Sequence, residues 1–317
     1  MKKSIVLLPM LLLSSLLAPL FAATHNGDIV DMSLYANRET LPDFTSQCEV
    51  DHPMALIQIK DNLYRHETGA GLAVHTGMVL ITKEGAVVID PAMTCSAIWL
   101  NDKINTEFKV PVKYVIYTHA HADHIMGSQV FSELGAEIIA NQRAIEPIVG
   151  EKLLAPVPTI SFDKAMTLTI DDIDINLTHI APSHSDSMTV VTIPSYRAMQ
   201  CTDICQSKTM PYNDFLDFYY TGWIQTLDWV IAQDVDYIDV GHYWPATKQD
   251  QVNLRNYLVD LHQQVLDLVR SGHSWDELYR KVVFNEEVQS WTGFASMKTL
   301  NTYGMYRWVT NHRRGNW

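Results

Sequence analysis

The chain has 317 residues, 47% hydrophobic and 19% charged, a composition that builds one large or two smaller globular domains and excludes disorder, collagen and a disulfide miniprotein. Acidic residues outnumber basic ones 36 to 23, for a formal charge of -13. A surface of that sign repels phosphate backbones and anionic lipid, so no nucleic-acid partner is expected.

Residues 1–22 read as a secretory signal peptide. Lys2 and Lys3 precede an apolar run from Ile5 to Leu13, and Ala22 and Ala23 supply small residues at the cut. The run is short for a membrane span, and no later stretch is long and apolar enough for one. The expected location is therefore periplasmic or secreted. An oxidising compartment invites cysteine pairing. Cys48 and Cys95 flank the first predicted sheet segment and are the candidates for a bridge, whereas Cys201 and Cys205, four apart, meet well only in particular turns. The alternative for each is a small buried hydrophobe.

After a polar leader at residues 23–53, short strands are expected at 55–59, 71–76, 78–81 and 86–89, the last two joined as a hairpin by Lys83-Glu84-Gly85. The period then changes: 94–105 reads as helix, 112–118 as a continuous apolar strand and 124–134 as helix. Strands follow at 165–170, 173–180, 188–193 and 198–201, a helix at 221–232 and a strand at 237–240. From 248 to 270 the apolar residues keep helical spacing up to Gly272, and the remainder reads as helical. One compact domain at 54–245 with a helical C-terminal extension at 246–317 is the simplest division.

Chemistry gathers at the strand ends. The segment Tyr117-Thr118-His119-Ala120-His121-Ala122-Asp123-His124-Ile125-Met126-Gly127 puts three imidazoles and a carboxylate within six residues, where a strand gives way to a helix. Extended backbone points His119 and His121 the same way, and nitrogen and oxygen donors of this kind suit zinc. Three further polar residues also follow predicted strands: His184 in a Pro-Ser-His turn, Asp203 and His242. His179 is a rival for the role of His184; a loop residue turns toward a metal more readily than a strand residue does.

In motif and in order, His119-x-His121-x-Asp123-His124, His184, Asp203 and His242 closely resemble the metallo-β-lactamase superfamily. The resemblance implies a mixed α/β fold, the four-layer αββα sandwich, with metals at one edge of paired sheets. It implies two zinc ions per chain, one held by His119, His121 and His184, the other by Asp123, His124 and His242. Asp203 matches the bridging aspartate of glyoxalase II-like members, and Asp90 a buried aspartate that supports the ligands from behind. Asp123 is the candidate catalytic residue, and a metal-bound hydroxide the implied nucleophile against an ester, lactone or amide bond of a small-molecule substrate.

Some positions depart from the family pattern. Pro-Gly-His is Pro182-Ser183-His184 here, Tyr243 follows Gly241-His242 where many relatives have Gly, and position 206 is Gln where some β-lactamases carry a carboxylate-gripping lysine. Cys201 and Cys205 flank Asp203 and compete with it on paper, thiolate being the better zinc ligand. Two alternative activities remain at this point: β-lactam hydrolysis, and oxidation by a single iron held by His119, His121 and His184.

Overall fold

A computed structural model describes residues 53–69 and 74–312. The expected signal peptide, the leader up to residue 52 and Cys48 lie outside the described residues. Cys95 is disulfide-bonded, while Cys201 and Cys205 are buried free thiols.

Among the described residues a first sheet runs in sequence order through β1 (Met54–Lys60), β2 (Leu63–Thr68), β3 (His75–Thr82), β4 (Gly85–Ile89), β5 (Val112–Ile116), β6 (Glu137–Asn141) and β7 (Ile160–Phe162). Pairing is antiparallel from β1 to β4 and parallel from β4 to β7. β3 and β4 are apolar almost throughout because both faces of the sheet are covered. Met78, Leu80, Val87 and Ile89 meet the second sheet, and Val79, Ile81, Ala86 and Val88 meet the helices behind, the two-residue alternation of a pleated strand.

Those helices are α1 (Thr94–Glu107), α2 (Ala122–Ile125), α3 (Ser128–Glu133) and α4 (Ile145–Gly150). The single helix expected at 124–134 is broken into α2 and α3. The break at Gly127 brings the chain against the entry to α1: its amide donates to Ala92 O at 2.7 Å, and a Cβ there would lie 2.7 Å from Ala97 Cβ. The separate strands expected at 71–76 and 78–81 are one strand, β3, within the described residues. β2 was not anticipated, because its Arg65 and His66 look solvated in sequence yet are buried.

The second sheet contains β8 (Ala165–Ile170), β9 (Ile173–Thr178), β10 (Val190–Ile193), β11 (Ala198–Gln200) and β12 (Tyr237–Asp239), antiparallel except for the β11/β12 pair. Leu168, Ile170, Ile175, Leu177, Val191 and Ile193 face the first sheet. On its other side Val190, Met199 and Ile238 pack with α5 (Tyr220–Ala232), α6 (Lys248–Arg270) and α9 (Phe294–Asn311). α7 (Trp275–Lys281) and α8 (Glu286–Gln289) lie between α6 and α9 in the chain. The layers are helix, sheet, sheet and helix, and the C-terminal helical region shares the outer core with α5. α6 occupies the span its periodicity predicts, opened by a capping box of Thr247 and Asp250.

Candidate metal centre

The residues of the site follow the ends of strands that share one edge of the sandwich. Asp90 follows β4, His119 to His124 follow β5, Asp203 follows β11 and His242 follows β12. These are parallel neighbours within each sheet, so their carboxyl ends converge. His184 comes from the β9 to β10 loop, and α5 positions that loop closely. Tyr219 N donates to Ser183 O at 2.6 Å, and a Cβ on Gly222 would lie 1.7 Å from Pro182 O. Trp223 of α5 donates from Nε1 to Ile204 O at 2.8 Å, tying the same helix to the Asp203 turn.

All seven expected ligand residues come together. His119, His121, His184 and Asp203 present donor atoms within 4.8 Å of one another, and so do His124, Asp203 and His242. Asp203 belongs to both groups. Its Oδ2 lies 3.5 Å from His119 Nε2, 3.4 Å from His184 Nε2 and 3.1 Å from His124 Nε2, and its Oδ1 lies 3.1 Å from His242 Nε2. It holds this place with φ of 60°, a left-handed backbone that costs a non-glycine residue energy. Asp123 Oδ2 lies 3.4 Å from His124 Nε2 and 3.7 Å from His242 Nε2. His179 sits elsewhere, with Nδ1 2.7 Å from Met188 O. Neither cysteine joins a metal-holding group among the described residues.

The partners of the imidazoles decide which nitrogen is free. Asp90 accepts Thr118 N at 2.8 Å and the hydroxyls of Thr118 and Thr202 at 2.7 Å each. With its proton given to Asp90, the Thr118 hydroxyl accepts from His119 Nδ1, 3.1 Å away. The lone pair of His119 is therefore on Nε2, which is buried and has no hydrogen-bond partner. His242 Nδ1 donates to Val74 O at 2.9 Å, leaving Nε2 toward Asp203. His121 Nε2 donates to Asp217 Oδ2 at 2.9 Å, leaving Nδ1 3.1 Å from His184 Nε2. Ring nitrogens turned into one shared space in this way fit a cation. Zinc bonds of roughly 2.0–2.1 Å at tetrahedral angles put ligand atoms about 3.3 Å apart, the spacing found here.

The electrostatics point the same way. Burial works against the Asp203 carboxylate, but His242, His124 and His184 hold it well below the usual carboxylate range. Asp123 is likewise lowered, with burial opposing and His124 and His75 prevailing. Burial disfavours charge on His124, yet Asp203 and Asp123 push it up to about 10. Burial takes His184 down to about 4. In each case the strongest charged neighbours are imidazoles and carboxylates, with no lysine or arginine among them.

Sequence reasoning missed two members. His75, the first residue of β3, places Nε2 3.2 Å from Asp123 Oδ2 and forms a group with Asp123 and His242. Its placement at the metal edge follows from its antiparallel pairing with β4, a signal available only once that pairing is known. Asp217 reaches His121 from a loop that α9 holds in place: Asn301 Nδ2 donates to Pro211 O and Asn213 O at 2.9 and 2.6 Å, and Arg307 grips Asp214 and Phe215 O.

The family model of the metallo-β-lactamase superfamily matches residues 71–242. A linear primary-alkylsulfatase from Pseudomonas sp. is 22% identical over 271 residues, covering 67% of this chain and 50% of its own length. A stereoselective inverting sec-alkylsulfatase from Pseudomonas sp. has a similar fold, with TM-score 0.67 at 17% identity over 83% of this chain and 51% of its own. A metallo-β-lactamase from Pontibacter korlensis superposes with TM-score 0.58 at 17% identity, over 65% of this chain and 99% of its own. The chain thus spans about half the length of the two alkylsulfatases.

Proposed function

Because the chain belongs to the metallo-β-lactamase superfamily, whose members are mostly hydrolases, we propose that it is a hydrolase working with two zinc ions on a neutral ester or lactone. The observation that carries the dinuclear reading is Asp203, which stands between the two groups of imidazoles, with Oδ2 near His119, His184 and His124 and Oδ1 near His242. His119, His121 and His184 would hold one ion, Asp123, His124 and His242 the other, and Asp203 would be shared. Zinc bound there supplies Lewis acidity, which brings the pKa of water to about 7 and polarises a carbonyl.

The chain's own residues divide the remaining work. Asp203 has a side chain 11% exposed and stays structural, whereas that of Asp123 is 42% exposed and ionised, so it can orient an attacking water as a hydrogen-bond acceptor. Asp217 and Thr118 hold the rings of His121 and His119 in the orientation described above.

The rim supports a neutral, apolar substrate. Tyr212, Leu216 and Trp244 are exposed large hydrophobics, on the Asp217 loop and beside His242. Tyr243, which feels both Asp203 and Tyr212, stacks on Trp244 at 6.0 Å. An anionic substrate would meet carboxylates: Asp217 stands at His121, and Arg143 is paired with Asp186. Gln206, at the lysine position of some β-lactamases, is engaged with Gln251 and Thr209.

A second reading, alkyl sulfate hydrolysis, is favoured by the extent of the sec-alkylsulfatase match, too large a share to be confined to residues 54–245. Zinc-loaded protein assayed against aryl and alkyl esters, lactones, penicillins, carbapenems and alkyl sulfates tests both. The highest kcat/KM is expected on neutral esters or lactones. Preferential turnover of alkyl sulfates establishes the second reading, and efficient β-lactam hydrolysis with poor ester turnover defeats both. The disulfide-bonded Cys95 supports the further proposal that the chain is exported.

A further inference from the structure

We propose that His75 is a ligand of the second metal position, so that each position is built on three imidazoles. This rests on the dinuclear reading given above, and it adds a residue outside the His119 to His124 motif and its three distant partners.

The backbone places His75 with little freedom. Thr76 N donates to Gly241 O at 2.7 Å, His242 Nδ1 donates to Val74 O at 2.9 Å, and His75 and His242 form an isolated antiparallel bridge. Both neighbours of His75 are thus fastened to the turn that carries His242. Its ring centroid lies 4.8 Å from that of His242 and 6.0 Å from that of His124. The Nε2 atom is 3.2 Å from Asp123 Oδ2, and the donor atoms of His75, Asp123 and His242 all lie within 4.8 Å of one another.

A separation of 3.2 Å fits two ligands of one zinc, whose edge is about 3.3 Å for bonds near 2.05 Å. It also fits a hydrogen bond from Nε2–H to the carboxylate, which would make His75 a support for Asp123 and no ligand. The surroundings favour the ligand role. His75 shares Asp123 and His242 with the second position, its donor atom grouping with theirs and not with those of His124 or Asp203, and its side chain is only 19% exposed. With His75 the second position has three imidazoles, as the first has, plus the Asp123 carboxylate and the shared Asp203, five donors in all, a set that suits zinc expanding to five ligands.

The two roles separate by substitution. Glutamine at 75 keeps an N–H donor for Asp123 but offers no imidazole nitrogen, and cysteine offers a thiolate ligand but no comparable donor. Stepwise zinc binding is measured by chelator competition on the full chain, with thermal melts beside it. Wild-type protein is expected to take up two zincs; fewer than two defeats the dinuclear reading itself. His75→Ala and His75→Gln are expected to weaken the second step at least about 100-fold and to leave the first unchanged. Wild-type affinity in His75→Gln, with or without a loss in His75→Ala, overturns the ligand role and leaves the dinuclear reading standing. Should His75→Ala and His75→Gln both unfold, His75→Cys decides: a restored second step supports the proposal, and a folded protein binding one zinc overturns it.

Discussion

Arg65 donates from Nε to Asp239 Oδ2 at 2.9 Å across 174 positions of sequence, with both side chains buried. The pair joins β2 of the first sheet to the end of β12 in the second, one step before the turn that carries His242. Asp239 also accepts Thr76 Oγ1 at 2.6 Å and Gly241 N at 3.0 Å, while Arg65 bonds Tyr243 O. Breaking a buried pair by removing one partner leaves an uncompensated charge. Arg65→Ala is therefore expected to destabilise the protein by about 3–5 kcal/mol in urea unfolding. Arg65→Lys recovers little of this, because an ammonium cannot span Asp239, Glu67 and the Tyr243 carbonyl together.

His121 and Asp123 separate metal binding from chemistry. His121→Ala is expected to lose metal and activity together, since the first position cannot close its coordination with one imidazole fewer. Asp123→Ala is expected to bind the second zinc more weakly while turnover falls on the order of 100-fold or more. Metal content by mass spectrometry beside turnover checks both, and an Asp123→Ala protein with full activity and two tight zincs contradicts the assignment.

Asp90 should act through a proton two bonds away. In Asp90→Asn the amide N–H groups meet the Thr118 and Thr202 hydroxyls, so Thr118 is turned to donate toward His119 Nδ1. The ring then carries its proton on Nε2, the wrong nitrogen for the metal. Zinc affinity is expected to drop roughly 10–100-fold with little change in the melting curve, and imidazole nitrogen NMR of the metal-free protein reads the tautomer directly.

His66, which belongs to no metal-holding group among the described residues, predicts a pH dependence of stability. Burial lowers its pKa from 6.5 to about 4, against the hydrogen bond to Ile89 O. The unfolded chain therefore binds more protons between those values, so this contribution is complete above about pH 6.5 and is lost as pH falls toward 4. About 2 kcal/mol should disappear between pH 7 and pH 5. Urea midpoints of metal-free wild type and His66→Gln at the two pH values test it, and equal slopes in the two proteins count against it.

Much of this protein is written locally. The apolar alternation of β3 and β4, the helical period of α6 and the compact run from His119 to His124 each lie within a few turns of chain, where backbone geometry alone relates residue spacing to direction in space. The strand ends then located His184, Asp203 and His242, and the family resemblance added Asp90; the structure brings all four to one edge. What only the tertiary structure decided are relations that no spacing encodes. Arg65 and His66 are polar types whose burial depends on partners far along the chain, such as Asp239, so β2 could not be recognised from an apolar pattern. Gly127 breaks a helical period because α1 lies against it, and α1 is absent from that local pattern. His75 meets Asp123 across 48 positions, and Asp217 meets His121 across 96. A histidine opening a strand or an aspartate on a loop has no periodicity to mark it, and only the pairing of β3 with β4 and the grip of α9 on residues 211–215 bring these two to the metal edge.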